Sequence, residues 1–237
     1  MNIAIVTIAY NHYGKFLEGW LKSVYKQTIL PAQIVIVLSG EHGFTKKKIL
    51  KEGREKGIEI KIVKEEKGSM GKLRNVAIEN TNTDWVLYFS ADDELLENAV
   101  EEISRARASM KNGDLIIVEH DAVSLTYLQE TYGEKVFVET PIPKRQEMID
   151  WRGSYRNGGY VAFKKKAWED VGHYDDNDFP NFPFMFKMWK HKKTYGRTEN
   201  PCALYIKRQK SHSTGRNTGQ TEEAYKTIDE AVKKYVL

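Results

Sequence analysis

The run Trp85-Val-Leu-Tyr-Phe-Ser-Ala-Asp-Asp-Glu94 passes from an unbroken apolar segment to two adjacent carboxylates, Asp92 and Asp93. An apolar run of this length, closed by polar residues, reads as a buried strand. In open α/β sheets ligands collect beyond the carboxyl ends of the strands. A pair of acids there can seat a divalent ion together with the phosphates it carries. The same acids can instead cap a helix, which the pattern predicts over 94–110. These ten residues by themselves leave both readings open.

Toward the N-terminus the chain alternates. Strands are predicted over 2–9, 34–38 and 58–63, and helices over 15–27, 45–56 and 72–80. In the first helix Phe16, Leu17, Trp20, Leu21, Val24 and Tyr25 recur at steps of three and four. Pro31 follows its end, and Gly57 is the expected stop of the second helix. Alternating strands and helices imply a parallel sheet with right-handed crossovers. Beyond Asp93 the pattern gives a strand over 114–119, a loop marked by Pro141 and Pro143, a strand over 160–163 and a short helix over 164–170. A loop rich in Asp, Asn and Pro spans 175–183, before an aromatic, basic helix over 184–192. A strand over 204–207, a Ser/Thr/Gly-rich loop over 211–219 and a closing helix over 222–235 complete the chain. No internal repeat or separating linker is visible, so the expectation is one continuous domain in 237 residues.

Composition excludes several classes. With 41% hydrophobic and 30% charged residues, the chain is neither disordered nor fibrous. The one cysteine, Cys202, permits no internal disulfide and suits a reducing compartment. Met1-Asn-Ile-Ala-Ile-Val lacks the basic start of a signal peptide, and no apolar run reaches the roughly 20 residues that cross a bilayer. The expectation is a cytoplasmic protein, with attachment to the inner membrane surface left open. The net charge of +4 is uneven: residues 1–140 carry 18 Lys and Arg against 21 Asp and Glu, and residues 141–237 carry 19 against 12. The excess lies in Lys164-Lys-Lys166, Lys190-His-Lys-Lys193 and Lys207-Arg-Gln-Lys210. Such clusters are solvated helix faces or surfaces that meet an anionic partner.

Five segments, in order, carry a resemblance. They are Ile5-Val-Thr-Ile-Ala-Tyr-Asn11 with the helix ending Ser23-Val-Tyr-Lys-Gln-Thr28; Ile34 to Gly40; Gly68 to Asn75, closing on Arg74-Asn75; Phe89-Ser-Ala-Asp-Asp93; and Gly158-Gly-Tyr-Val-Ala-Phe running to Gly172-His-Tyr-Asp175. Together they resemble the family-2-type glycosyltransferases with a GT-A fold, over nearly the whole chain. The resemblance implies a three-layer α/β/α fold with a mostly parallel central sheet. It implies a donor- and metal-binding half over 1–113 and an acceptor-binding half with a closing loop and helix over 114–237. The implied activity is transfer of a sugar from a nucleoside-diphosphate sugar, a UDP-sugar by preference, to an acceptor hydroxyl, with inversion.

The resemblance also implies roles. Asp92 matches the metal-ligating acid, with Mn²⁺ or Mg²⁺ as the ion, and Asp93 is expected near the donor sugar or the metal's waters. Ser90 stands where many members have a further Asp. His212, in Tyr205-Ile-Lys-Arg-Gln-Lys-Ser-His212, matches a late histidine that can reach the metal; an imidazole ligand favours Mn²⁺. Its other reading is a loop histidine facing solvent. Ile8, Tyr10 and Asn11 fall where the family holds the nucleobase, and Ala91 falls beside the metal acid. Ser39 replaces the Asp that reads uracil, a contact that Glu41 could supply. Lys72 and Arg74 face base or phosphate, or else a solvated surface.

One further departure stands out. Inversion needs a general base for the acceptor hydroxyl. Where the family has an acid, this chain aligns Phe184, which leaves Asp178 as the nearest candidate, followed by Asp175 and Asp176. The acceptor is expected against Trp151, Arg156, Gly158 and Gly159. The basic clusters suggest that it is anionic: a glycan, a lipid-linked phosphate or a hydroxylated base in DNA. The alternative is a non-catalytic nucleotide-sugar or glycan-binding module on a degenerate site. A nucleotidyltransferase would want a Gly-rich phosphate loop after the first strand, where this chain has Ala9-Tyr-Asn-His-Tyr-Gly14.

Overall fold

The computed structural model describes residues 2–40, 46–110, 112–118, 120–124, 136–138, 160–207 and 218–237. The first half runs β1 (Ile3–Tyr10), a 3₁₀ turn (Asn11–Phe16), α1 (Leu17–Tyr25), β2 (Gln33–Ser39), α2 (Lys46–Glu55), β3 (Glu59–Glu65), α3 (Met70–Glu79) and β4 (Trp85–Tyr88). Then come β5 (Glu94–Leu95), α4 (Ala99–Ser109), β6 (Leu115–Val118), β7 (His120–Ser124) and β8 (Val136–Val138). The rest is β9 (Tyr160–Lys164), α5 (Lys165–Asp170), α6 (Asn181–Lys190), β10 (Tyr195–Arg197), β11 (Ala203–Lys207) and α7 (Thr218–Tyr235).

Seven strands form the main sheet in the order β10-β6-β9-β4-β1-β2-β3. β1 pairs in parallel with β2 and β4, and β2 with β3. Only β9 runs against its neighbours, β4 and β6. A second sheet orders β5-β11-β7-β8. Along β1, Ile3 and Ile5 enter one core with Trp20, Leu21, Val100 and Ile103, while Ala4, Val6 and Ile8 enter another with Leu73, Ala77, Phe184 and Met188. Both faces of the sheet are thus covered by helices, which is why its strands read as continuous apolar runs rather than alternating ones. The α/β/α layering is the one expected.

The differences from the sequence reading have local causes. The chain after Asp93 does not enter a helix: Glu94 and Leu95 first pair antiparallel with β11, and α4 begins at Ala99 behind Asn98. Neither acid caps that helix. α3 begins two residues earlier than the pattern suggests, because Ser69 caps it by accepting the Lys72 N–H at 3.1 Å. α6 begins at Asn181, and Pro183 fits because a first-turn N–H has no helical partner to lose. β7, β8 and β10 escape the pattern because they are short and lie outside the β-α repeat. α7 docks on α6 through Ile228, Ala231, Val232 and Val236 packed on Phe186. Among the described residues no helix is long and apolar enough to cross a membrane.

Candidate active site

Four parallel strands deliver their carboxyl ends to one edge of the main sheet. Tyr10, Ser39 and Glu65 stand in register across β1, β2 and β3. Beyond them the chain turns sharply, with φ of 48° at Asn11 and 74° at Gly40. The positive φ at Gly40 favours glycine, and a Cβ there would meet Asn11 Oδ1 at 2.6 Å unless that side chain shifted. Tyr10 is half-buried at this rim, whereas the Ile8 side chain is buried in the core. The Ile8 side chain therefore belongs to the core and not to the rim. The Ser39 hydroxyl, also buried, donates to the Glu66 carbonyl at 3.0 Å and ties the end of β2 to that of β3.

The two adjacent acids occupy different environments. After β4 the chain makes a turn in which the Asp93 N–H donates to the Ser90 carbonyl at 3.3 Å. Ala91 is buried, Asp92 is half-buried, and Asp93 is only 3% exposed. One Asp93 oxygen accepts from the Tyr160 hydroxyl, and the other accepts from the Ile206 N–H at 2.8 Å. Burial first, and the Asp93 charge second, push the Tyr160 hydroxyl well above the usual phenol range, so it stays a donor. Asp93 thus joins the exit of β4, the start of β9 and the end of β11. The sequence reading expects it near the donor sugar or the metal's waters; in the structure its two oxygens are bonded to Tyr160 and Ile206.

Asp178 lies at the start of α3, which follows β3 and so opens on the same sheet edge. Its Oδ1 accepts the Met70 N–H at 3.0 Å, the Gly71 N–H donates to the Asn177 carbonyl at 2.9 Å, and the Ser69 hydroxyl donates to Asp176. Carboxylates here complement the positive end of the helix. The 175–178 loop comes so close that a Cβ on Gly71 would lie 1.8 Å from the Asp175 carbonyl oxygen. Asp178 itself is exposed. Asp175 faces away from this edge in its contacts, pairing with Lys187 at 2.7 Å and accepting from the Tyr235 hydroxyl.

Arg74 and Asn75 brace the neighbouring wall. Arg74 is 6% exposed, with its guanidinium 3.8 Å from the Tyr88 ring centroid, and it donates to Asn181. It sits within the protein, while Lys72 of the same helix is exposed. Burial pushes the nearby Tyr174 phenol up to about 12, against the opposing pull of Arg74. The Asn75 amide nitrogen donates to the Tyr174 carbonyl, and its oxygen accepts from the Trp168 indole and the Tyr174 N–H. Phe184, at the position aligned with the family's base, is buried among Phe163 and Tyr174. Glu41, Trp151, Arg156, Gly158, Gly159 and His212 lie outside the described residues.

The sequence reading does not name Tyr160, Asn181 or Tyr235 as residues that support the site. Tyr160 had a readable signal: a tyrosine entering a buried strand needs a partner for its hydroxyl. Among the described residues the donor set fits a divalent ion in one way. No group of three or more His, Cys, Asp or Glu that could hold a metal occurs among the described residues. Asp92 suits an ion whose other ligands are phosphate oxygens and water, the usual arrangement for Mg²⁺.

A mostly parallel sheet with an acid-bearing strand end on its ligand edge is an α/β architecture suited to a phosphate-bearing ligand. The sequence model of Glycosyl transferase family 2 matches residues 4–172, and the chain belongs to that family of glycosyltransferases. Crystal structures of S. aureus TarS share the fold. The 1–349 fragment gives a TM-score of 0.69 at 14% identity, covering 100% of this chain and 67% of that one. The same fragment in complex with UDP-GlcNAc also gives 0.69 at 14%, with 100% and 68% covered. A longer TarS structure gives 0.68 at 14%, with all of this chain covering 40% of it. No curated protein matches the chain by sequence.

Proposed function

We propose that the protein transfers a sugar from a UDP-sugar to an acceptor hydroxyl, with inversion at the anomeric carbon. The observation that carries this reading is the convergence of Tyr10, Asn11, Asp92 and Asp178 on one sheet edge, on elements fixed by Gly40 and Gly71. Supporting the choice of nucleotide, the TarS fragment of the same fold was crystallised with UDP-GlcNAc and with UDP. Residues 1–113 would hold the donor, with Tyr10 and Asn11 at the base, and residues 114–237 the acceptor. Asp92 would hold Mn²⁺ or Mg²⁺, with His212 as a second ligand. A bound divalent ion neutralises the diphosphate and stabilises its departure.

In the transfer the acceptor oxygen attacks the anomeric carbon, and the bond from that carbon to the diphosphate breaks. The electron pair leaves with UDP. Asp178 takes the acceptor proton, which places the base on the α3 start rather than on the α6 face that Phe184 fills. The uneven charge of the chain supports an anionic acceptor. Asp178→Asn tests the base. It keeps an oxygen for the Met70 N–H but cannot take a proton, so kcat should fall about 100-fold or more with donor affinity within about twofold of wild type. Unchanged kcat would remove Asp178 from the chemistry.

A further inference from the structure

The 175–178 loop is held from two sides. On the ligand edge the Met70 N–H donates to Asp178, the Gly71 N–H to the Asn177 carbonyl, and the Ser69 hydroxyl to Asp176. Within the loop the Asn177 N–H donates to the Asp175 carbonyl at 2.9 Å, and the Phe179 N–H donates to Asn177 Oδ1 at 2.9 Å. These bonds make the loop one folded turn, so a hold on its first residue constrains its last.

The second hold is on the Asp175 carboxylate. Lys187 of α6 pairs with it at 2.7 Å and also donates to the Gly172 and His173 carbonyls at 3.3 and 2.9 Å. One ammonium is thus spread along the approach to the loop. The Tyr235 hydroxyl, 60 residues further along the chain, stands 3.1 and 3.0 Å from the two Asp175 oxygens. It donates to a charged acceptor, which makes the stronger kind of hydrogen bond. Burial raises its phenol, Lys234 opposes this, and Asp175 adds to the rise, so the group stays a donor.

The mount behind this hydroxyl is firm. α6 runs from Asn181, on Arg74, to Lys190, whose ammonium donates to the Lys234 carbonyl at 3.2 Å. Phe186 of α6 packs on Ile228, Ala231 and Val232 of α7 and on Val236 just beyond it, and the Tyr235 ring lies against the same cluster. α7 therefore reaches the ligand edge through Tyr235, its last residue, and the loop that Asp175 opens. We propose that Tyr235 is a positioning residue for transfer: through Asp175 it holds the 175–178 loop against the start of α3 and so fixes where Asp178 stands. The hold on the loop rests on geometry; its consequence for transfer rests on the glycosyltransferase reading.

The test uses Tyr235→Phe, which keeps the ring in its cluster, removes one hydroxyl and leaves Lys187 on Asp175. Hydrogen exchange by NMR follows the Met70 and Gly71 amides in wild type and variant. Release of UDP from UDP-GlcNAc with Mn²⁺, water acting as acceptor, is measured in wild type, Tyr235→Phe, Asp178→Asn and the double variant. In that reaction the water oxygen bonds to the anomeric carbon, the bond to the diphosphate breaks with its electron pair leaving on UDP, and Asp178 takes the water proton.

The Met70 and Gly71 amides should exchange at least about fivefold faster in Tyr235→Phe, while amides of β1 and β2 keep wild-type rates. The kcat for UDP release should fall about tenfold, with KM for UDP-GlcNAc within about twofold of wild type. Added to Asp178→Asn, Tyr235→Phe should slow release by less than about twofold, because it acts through the carboxylate already removed. A merely structural role would slow both backgrounds alike. Unchanged exchange at Met70 and Gly71, unchanged UDP release, or equal slowing in both backgrounds overturns the proposal. Faster exchange in the variant together with no UDP release by wild type supports the hold of Tyr235 on the loop and counts against the glycosyltransferase reading instead.

Discussion

Asp93 is tolerated in the interior because the Tyr160 hydroxyl and the Ile206 N–H supply donors to its two oxygens. Asp93→Ala removes an acceptor that both donors use and should cost about 3 kcal/mol, while Tyr160→Phe, which leaves the Ile206 bond, should cost about 1–2 kcal/mol. Urea unfolding measures both, and losses within about 0.5 kcal/mol would contradict this role. The sequence displays two neighbouring acids but not which one is enclosed. That depends on partners 67 and 113 residues away, beyond any local pattern. Ser39 and Phe184 show the converse. Each was legible as a departure from the family, and the structure supplies the physical consequence: a hydroxyl spent on the Glu66 carbonyl and a ring spent on the core.

Among elements, the start of α3 matters most, because four residues of a distant loop rest on it. Gly71→Ala would force the 175–178 loop away from the helix, since the new Cβ would lie 1.8 Å from the Asp175 carbonyl oxygen. The expected cost is about 1–3 kcal/mol in stability, with a fall in transfer as Asp178 loses the Met70 N–H. Thermal melting and kcat on one preparation check this; an unchanged melting temperature would contradict the close approach. At the far end of the same core, Asp170 joins α5 to the start of β10 through Lys193. Lys166 first, then Lys193, hold its carboxyl down to about 2. A lowered folded pKa contributes stability above the unfolded value of about 3.9 and loses it as pH falls toward 2. Asp170→Asn should therefore melt below wild type near neutral pH, and the gap should close between about pH 4 and about pH 2. A gap constant with pH would contradict the ion pairing. The helices and parallel strands were legible because apolar periodicity records them. The antiparallel course of β9 was not, because direction is set by where the chain re-enters the sheet.

At the scale of the molecule, one seven-stranded sheet separates two kinds of surface. Its carboxyl edge gathers the residues that family likeness assigns to a donor, and its amino edge gathers the lysines of the C-terminal region. The order of elements and the charge asymmetry were readable from the chain; their placement on opposite edges needed the topology, because α6 carries the charge from one edge to the other. The central claim is a UDP-sugar site organised by Asp92. It is tested most directly by calorimetric titration of UDP-, GDP- and dTDP-sugars into wild type and Asp92→Ala, each with and without Mn²⁺. The account predicts that a UDP-sugar binds wild type only with Mn²⁺ and that Asp92→Ala loses this binding while keeping its melting temperature. Binding that is indifferent to Mn²⁺ and to Asp92, or binding of no UDP-sugar under any condition, would contradict it.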